Sequence, residues 1–324
     1  NHSLLDFAEQ FSRFGGTHIL IDEIHRYPNW AIELKNIYDS YPELHIVFSG
    51  SSMLEIYNAN ADLSRRAVIF ELHGLSFREY LLFEGIADIP VVSLEEIIEN
   101  HINIATSIVS KHKIALYFRN YISSGFYPIY KEGLRNYTMK LQNVVNTIID
   151  KDIPAIEKID FSGMYALKKM LMTLSTLVPY TPNIEKLSTD MQLNRATTLK
   201  YLSYLSKAGL INSLMPANKG MSILTKPEKV LLNNTNLLFA LSTVKPEEGN
   251  VRETFMVNQL KVKYKVATSQ KGDFLIENKY IVEVGGKNKK YNQIKDIPDS
   301  YIVSDAIDIG WGNKIPIWLF GLLY

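Results

Sequence analysis

The 324 residues are 46% hydrophobic and 21% charged, which are ordinary values for a soluble globular protein. This length predicts about two or three domains, and a formal net charge of +1 gives no global electrostatic reason to expect nucleic acid, membranes or acidic substrates as partners. The lack of cysteine excludes disulfides, thiolate metal sites and cysteine nucleophiles. Because no apolar run approaches the ~20 residues that span a bilayer, we expect no membrane partner and a cytoplasmic protein.

The first part of the chain alternates helix-like and strand-like patterns. Short β-branched runs are typical of strands buried on both faces, and the spacing of apolar residues between them is helical. The last helix of the series begins with a capping box formed by Ser76 and Glu79. This alternation predicts an open, largely parallel α/β sheet. The predicted helices are 4–14, 30–38, 51–59 and 76–85, and the predicted strands are 18–22, 45–50 and 67–74.

The first predicted strand runs directly into two carboxylates, Asp22 and Glu23. An apolar run that ends in Asp, here Ile19–Ile21 before Asp22, resembles a Walker B strand, in which the Asp holds the Mg²⁺ shell. The following Glu can polarise the attacking water. A buried strand that ends at an ordinary acidic turn is the structural alternative.

Two later features favour the Walker B interpretation. Ser49 and Ser51 follow the second buried strand, where a small polar side chain could orient water beside a γ-phosphate. Arg65 and Arg66 precede the third strand, and an arginine offered to a neighbouring subunit's nucleotide would act as a finger, which implies a homo-oligomer. Each feature also has a plain alternative, since serine commonly ends a strand in a turn and paired arginines are commonly solvated.

Together, "HILIDEIHRYPNWAIELKNIYD", "HIVFSGSS", "LSRRAVIFELHGLSFREYL" and "YISSGFYP" resemble a large family of prokaryotic AAA+-type predicted ATPases. The resemblance implies Walker B roles for Asp22 and Glu23, a sensor role for Ser49 or Ser51, and an arginine finger at Arg65 or Arg66. It implies an α/β fold class: a partial, AAA+-like P-loop NTPase core, a helical segment with a winged helix, and a small α/β restriction-endonuclease-like domain. The expected boundaries are 1–90 for the core, 91–160 for the helical segment, 161–230 for the winged helix and 231–324 for the last domain.

One motif of such ATPases does not occur in these residues. The phosphate-binding pattern G-x-x-x-x-G-K-[ST] is absent from the sequence. Its backbone amides and lysine supply most phosphate contacts in P-loop proteins. We therefore expect ATP and Mg²⁺ as cofactors of an intact protein that carries this loop upstream, and we expect the present chain alone to bind no nucleotide tightly.

Residues 182–214 predict a helix-turn-helix, with Gly209 ending the second helix and the start of a wing after it. The stretch from Pro182 to Lys226 contains six lysine and arginine residues and only two acidic residues. Contacts with phosphate groups would need such a local excess of positive charge. DNA is therefore a candidate partner, and the alternative is a winged helix that packs domains together or binds protein. Residues expected on the exposed, groove-reading side are Arg195, Thr197, Thr198, Lys200, Tyr201 and Tyr204.

The C-terminal region resembles the PD-(D/E)XK nuclease core. Strand, turn and strand place Asp273 near Glu283, Glu253 lies on the preceding helix, and Lys287 follows. In such cores carboxylates hold Mg²⁺ and a lysine supports the attacking water, so Asp273 and Glu283 are candidate metal ligands. The usual Glu-x-Lys spacing is broken here, because Gly285 stands where the lysine belongs. The alternative is a degenerate domain that contacts a protein or nucleic acid.

The leading functional hypothesis is an AAA+-type ATPase that couples its nucleotide state to a DNA- or protein-binding C-terminal half. Two other classes stay open. One is a non-catalytic, DNA- or protein-binding regulatory module with a vestigial ATPase core, and the other is a Mg²⁺-dependent nuclease.

Overall fold

The computed structural model describes residues 3–50, 63, 65–157, 159–177, 179, 181–217 and 225–324. The chain divides into two units, each with its own core. One comprises the residues up to Leu72 together with Thr147–Met164, and the other comprises His73–Asn146 and Tyr165–Tyr324. Within the described ranges, no helix is both long and apolar enough to cross a membrane.

Unit one is built on two parallel strands, β1 (His18–Ile21) and β2 (His45–Phe48). Two helices, α1 (Leu4–Arg13) and α2 (Trp30–Ser40), alternate with them as the sequence predicts. Their apolar stripes bury Ala8 of α1 and Ile37 of α2 together with Ile19 and Leu44. Helices α1 and α2 therefore cover the face of the sheet that carries Ile19.

Two predicted elements of unit one have different outcomes. The predicted helix 51–59 lies outside the described residues. The predicted strand 67–74 is wrong, because these residues have no regular secondary structure and pair with no strand in the described part of the chain. A β-strand needs a hydrogen-bonding neighbour, and an apolar, β-branched run alone does not supply one.

The second part of unit one adds a π-helical turn (Ile148–Asp152) and a short helix, α7 in chain order (Ile153–Glu157). Ile149 and Ile153 are fully buried. This return of the chain brings an acidic residue, Asp152, into the unit that holds the predicted Walker B residues.

Unit two contains most of the helices. Ser76 and Glu79 form the predicted capping box at the start of the first of them, which is confirmed. Five helices precede the helix pair described next. They are α3 (Phe77–Phe83), α4 (Leu94–Val109), α5 (Ile114–Asn120), α6 (Tyr137–Thr147) and α8 (Phe161–Leu177), and α8 begins in unit one. Shorter turns are Tyr121–Gly125, Pro128–Glu132 and Leu134–Asn136.

A helix pair and a hairpin follow. Helix α9 (Ile184–Met191) starts at Asn183 and helix α10 (Arg195–Lys207) starts at Asn194, and each asparagine side chain accepts a backbone N–H of the first turn. Gly209 has φ +68°, the left-handed conformation expected after the end of a helix, as predicted. Strands β3 (Ile211–Leu214) and β4 (Lys229–Leu232) then pair antiparallel.

The C-terminal part is a five-stranded sheet with α11 (Thr235–Leu241) and α12 (Glu248–Leu260) before it. Its strands keep chain order, antiparallel for the first three and parallel for the last three. Helix α12 packs against β7 and against the buried C-terminal turn Ile317–Leu322. The strands are β5 (Val266–Thr268), β6 (Phe274–Ile276), β7 (Tyr280–Gly285), β8 (Ser300–Ser304) and β9 (Lys314–Pro316).

Candidate functional site

The carboxyl ends of β1 and β2 bring three predicted site residues together. The Ser49 hydroxyl donates a hydrogen bond to Asp22 Oδ1, and it accepts one of 3.2 Å from the backbone N–H of Glu23. The backbone holds the same arrangement, because Ile24 N–H donates to the Ser49 carbonyl over 2.9 Å. Neighbouring parallel strands end at one edge of their sheet, so a convergence of these residues follows from the alternating pattern. Ser51, the other predicted sensor residue, lies outside the described residues.

Glu23 has an uncommon backbone conformation. Its φ of 53° and ψ of 42° lie in the left-handed region, which a glutamate rarely adopts. Its carboxylate Oε2 lies 3.5 Å from His25 Nε2 and 3.4 Å from Arg26 Nε. The turn therefore places the carboxylate of Glu23 at the end of the sheet, beside two groups that can carry positive charge.

Asp152 is a neighbour of this site that sequence reasoning missed. Burial raises the pKa of Asp152 above its usual 3.8, the neighbouring imidazole of His25 lowers it, and the negative charge of Glu23 raises it. These influences place Asp152 within electrostatic reach of Glu23 and His25. No local pattern could have indicated this, since 129 positions of sequence separate Asp152 from Glu23 (152 − 23).

The two candidate finger arginines have different surroundings. Arg66 binds Asp39 through two hydrogen bonds of 2.9 and 3.0 Å, and this pairing lowers the pKa of Asp39. The guanidinium of Arg66 is thus engaged within its own unit, next to the ring of Tyr38. Arg65 is exposed and is the arginine that the structure presents at the surface.

The predicted groove-reading side of α10 is partly wrong. Arg195 and Lys200 are exposed, and Thr197 and Tyr201 are half-buried. Thr198 is fully buried: its hydroxyl donates to the Asn194 carbonyl over 3.0 Å and lies 2.9 Å from the Ser188 hydroxyl. Tyr204 is also buried. Helical position decides this, since Thr198, Leu202 and Leu205 share the face that packs inward.

The three acidic residues of the nuclease-like pattern lie close enough to interact, and a lysine from outside the pattern joins them. Lys229 Nζ on β4 lies 2.6 Å from Glu253 Oε2 and 3.8 Å from Asp273 Oδ1. Asp273 Oδ2 also accepts the Val284 N–H over 2.7 Å. Burial raises the pKa of Glu253, Lys229 lowers it, and the charges of Asp273 and Glu283 raise it again.

The lysine predicted to complete this cluster is the wrong one. Lys287 is exposed, and its backbone carbonyl accepts a 2.6 Å hydrogen bond from Lys314 Nζ. Lys289 instead forms an ion pair with buried Glu283. Gly285 permits this, because a Cβ there would lie 2.7 Å from the Cβ of Lys289. The turn after β7 therefore brings Lys289, and not Lys287, back to Glu283. Residue spacing alone does not reveal this backbone geometry.

These residues do not fit a divalent cation. Lys229 lies 2.6 Å from one oxygen of Glu253, and Lys289 forms an ion pair with one oxygen of Glu283, so each carboxylate already has a positively charged partner. Across the described ranges, no three His, Asp or Glu side chains converge as a metal-binding group. The metal-ligand roles predicted for Asp273 and Glu283 therefore have no support from this arrangement.

Comparison with known proteins supports one part of the resemblance. Residues 1–81 match the model of an AAA domain family, and residues 116–248 match a domain of unknown function, DUF8612. The N-terminal region is AAA-like. The chain is 24% identical over 239 residues to the uncharacterized protein MJ1637 of Methanocaldococcus jannaschii. The matched region covers 70% of this chain and 50% of that protein. The chain thus spans about half the length of this curated relative, and no solved structure matches it.

Proposed function

We propose that the protein is an AAA+-type ATPase with its catalytic carboxylates at Asp22 and Glu23. The observation that carries this proposal is the convergence of Asp22, Glu23 and Ser49 at the carboxyl ends of two parallel strands, inside the region that matches an AAA domain. An ordinary acidic turn gives no reason for a serine from the next strand to bridge both positions. Ligands of open α/β sheets bind at this edge.

Each residue has a role that its surroundings fit. Asp22 is exposed and binds Ser49 through one oxygen, so it suits the shell of a Mg²⁺ ion, which would supply charge neutralisation to the phosphates of ATP. Glu23 would accept the proton of the attacking water, with His25 and Arg26 orienting its carboxylate. Ser49 holds both acidic residues in register. Arg65 would reach the nucleotide of a neighbouring subunit.

The proposal requires a phosphate-binding loop. We place it in a segment of the intact protein that precedes residue 1, which is consistent with a curated relative of about twice the matched length. ATP is then the cofactor of the intact protein, bound jointly by that loop and by the edge that carries Asp22.

Phosphate release by the complete protein tests this function. Glu23→Gln is expected to slow ATP hydrolysis at least about 100-fold while retaining ATP binding, because the amide cannot take the proton. Glu43→Gln is the matched control, since Glu43 is exposed and stands before the amino end of β2, at the opposite end of that strand from Ser49. Equal hydrolysis by the parent and Glu23→Gln proteins, or none by the parent, would reject the proposal and favour a regulatory module with a vestigial core.

We further propose that nucleotide state is coupled to DNA through α9, α10 and the β3–β4 hairpin. Two helices followed by an antiparallel hairpin have the order of a winged helix, and Arg195 and Lys200 lie exposed on the second helix. Binding should weaken steeply with salt. A protein partner at this surface is the competing outcome, which salt-insensitive or absent DNA binding would favour. The nuclease alternative is not proposed, because no three His, Asp or Glu side chains of the described residues converge as a metal-binding group.

A further inference from the structure

Unit two contains a cavity of about 490 Å³ between helix α4 and the β8–β9 part of the five-stranded sheet. Its apolar lining includes Ile98, Ile102 and Tyr301, and its polar lining comes from α4 and from Asn313. Helix α4 is kinked where it lines the cavity, because Asn100 has φ −132° and ψ 17°, outside helical values. A volume of this size holds a small organic molecule or one long side chain.

The asparagines of the cavity offer more acceptors than donors. Asn313 Nδ2 donates to the Ser300 carbonyl and to the Tyr291 hydroxyl, over 3.1 Å in each case, so its Oδ1 is left without a partner among the described residues. Because a carbonyl only accepts, the contact with Ser300 also fixes which amide atom is the nitrogen. Asn103 Nδ2 donates to Asn100 Oδ1 over 2.6 Å, so Asn103 keeps an acceptor and Asn100 keeps a donor.

Glu99 adds a negative charge to this lining. It is exposed, and it forms no ion pair or hydrogen bond with the described residues. No lysine or arginine in the described part of the chain lines the cavity, and Lys314, which follows Asn313 in sequence, donates to two backbone carbonyls of another turn. Burial lowers the pKa of His101, which also lines the cavity, so its imidazole is uncharged at neutral pH. The charge of Glu99 therefore has no opposite charge beside it in the described lining.

We propose that this cavity binds an organic cation with several N–H donors, namely a guanidinium or primary ammonium group on an aliphatic chain. Glu99 would pair with the positive charge, and the side-chain oxygens of Asn103 and Asn313 would accept further N–H groups. The aliphatic chain would lie along Ile98 and Ile102. A single carboxylate is a poor ligand set for Mg²⁺ or Ca²⁺, and it repels phosphates. This site is additional to the ATPase and DNA-binding residues proposed above.

Calorimetric titration of the complete protein with two probes tests the proposal. Agmatine is a free guanidinium compound, and acetyl-glycyl-arginyl-glycine amide carries the same group on a polypeptide. We expect at least one of them to bind with a Kd of about 1 mM or tighter. The same peptide with citrulline in place of arginine has nearly the same shape but no charge, so it should bind at least about 10-fold more weakly than the arginine peptide.

Three variants assign the binding to this cavity. Glu99→Gln should raise the Kd of the tighter probe at least about 10-fold, because it removes the charge and keeps the shape. Asn103→Ala should raise it about 3-fold or more, because an acceptor is lost. Glu95→Gln is the matched control and should change the Kd less than about twofold, since Glu95 is exposed on the same helix but does not line the cavity. All three side chains are exposed, and urea unfolding checks that each variant is as stable as the parent.

The outcomes decide both the proposal and the source of the cation. Binding that Glu99→Gln weakens and Glu95→Gln retains supports the proposal. Tighter binding of the peptide then assigns the cation to a protein partner, and tighter binding of agmatine assigns it to a free amine. Equal affinity for the citrulline and arginine peptides overturns the proposal, and so does the lack of binding of both probes at about 10 mM. Equal losses in Glu99→Gln and Glu95→Gln also overturn it, because they indicate general attraction to an acidic surface.

Discussion

The backbone N–H of Glu23 donates a 3.2 Å hydrogen bond to the side-chain oxygen of Ser49, although the two residues stand 26 positions apart. The same oxygen donates to the carboxylate of Asp22. The Ser49 hydroxyl therefore accepts a hydrogen bond from Glu23, the proposed base, and donates one to Asp22, the proposed residue of the Mg²⁺ shell. Its contribution can be measured separately from that of the carboxylates.

Ser49→Ala in the complete protein is expected to lower kcat for ATP about 10-fold or more, with a smaller change in KM. The change removes the donor to Asp22 and the acceptor of the Glu23 amide, so both carboxylates lose their fixed position. Ser123→Ala is a suitable control, because Ser123 is an exposed serine in unit two. An unchanged kcat would show that the serine has no part in hydrolysis.

Glu23→Gly is expected to separate stability from activity. Glycine adopts the left-handed conformation at little steric cost, so relief of this strain should offset the lost contacts with His25 and Arg26 and the greater freedom of the unfolded chain, and the free energy of unfolding should change by less than about 1 kcal/mol. Hydrolysis should be lost. Urea unfolding and phosphate release measure the two effects. A loss of stability well above about 1 kcal/mol would show that the left-handed conformation of Glu23 costs the folded state little.

Two features could be predicted from the sequence because they depend on local chemistry or on strand direction. The capping box of Ser76 and Glu79 needs only its own four residues. The meeting of Asp22 with Ser49 needs only the expectation that consecutive buried strands run parallel. Neither prediction depends on how distant side chains pack.

The predictions that failed concern side chains whose positions depend on long-range packing. Lys289 reaches Glu283 because a turn containing Gly285 folds back, and Lys229 reaches Glu253 from a strand of another sheet. Thr198 looked like an exposed polar residue, but its hydroxyl is satisfied by Asn194 and Ser188 inside the helix pair. In each case long-range packing decided the position, and residue type and spacing could not.

The buried and exposed sides of α10 predict two variants with opposite effects. Thr198→Val removes a buried hydroxyl that Ser188 contacts, so the free energy of unfolding should fall by about 1 kcal/mol while DNA affinity of the folded protein is unchanged. Lys200→Ala should leave stability within about 0.5 kcal/mol but reduce the slope of log affinity against log salt by about one. Fluorescence anisotropy over a salt series measures the slope.

A charge-matched control belongs to this experiment. Arg195→Ala with Lys200→Ala removes two positive charges from α10, and Lys111→Ala with Lys113→Ala removes two exposed ones elsewhere in unit two. Equal losses of DNA affinity in the two double variants would show that binding follows net charge and not this helix.

His101 predicts a loss of stability in mild acid. It is buried on α4, and neither ring nitrogen makes a hydrogen bond of normal geometry with the described residues. Burial lowers the pKa of His101 below its usual 6.5, which the backbone of Ile98 and Ile97 offsets only in part. The unfolded chain therefore takes up this proton first as pH falls below 6.5, and stability is lost between 6.5 and the lowered pKa.

Replacement with an apolar residue tests this assignment. His101→Leu should remove part of the decrease in the free energy of unfolding between about pH 7 and about pH 5, because leucine takes up no proton. Urea unfolding at both values gives the comparison. If the parent and the variant lose the same stability over this range, His101 does not contribute to the acid sensitivity.

The pairing of Lys229 with Glu253 predicts that Lys229→Met destabilises the protein at neutral pH and does so less in acid. Lys229→Met leaves Glu253 buried without its 2.6 Å partner, which should cost about 2 kcal/mol at neutral pH. Burial already raises the pKa of Glu253 above 4.5, and loss of Lys229 removes an influence that lowers it. Because the folded state then binds the proton more tightly than the unfolded chain, stability should rise as pH falls from about 7 toward 4.5.

Urea unfolding of Lys229→Met and of Lys229→Met with Glu253→Gln measures this effect. The double variant should be the more stable of the two at neutral pH, since the amide leaves no unpaired charge. A defect of the same size at both ends of the pH range would mean that Lys229 stabilises through its packing over the ring of Phe274, 4.9 Å away, and not through Glu253.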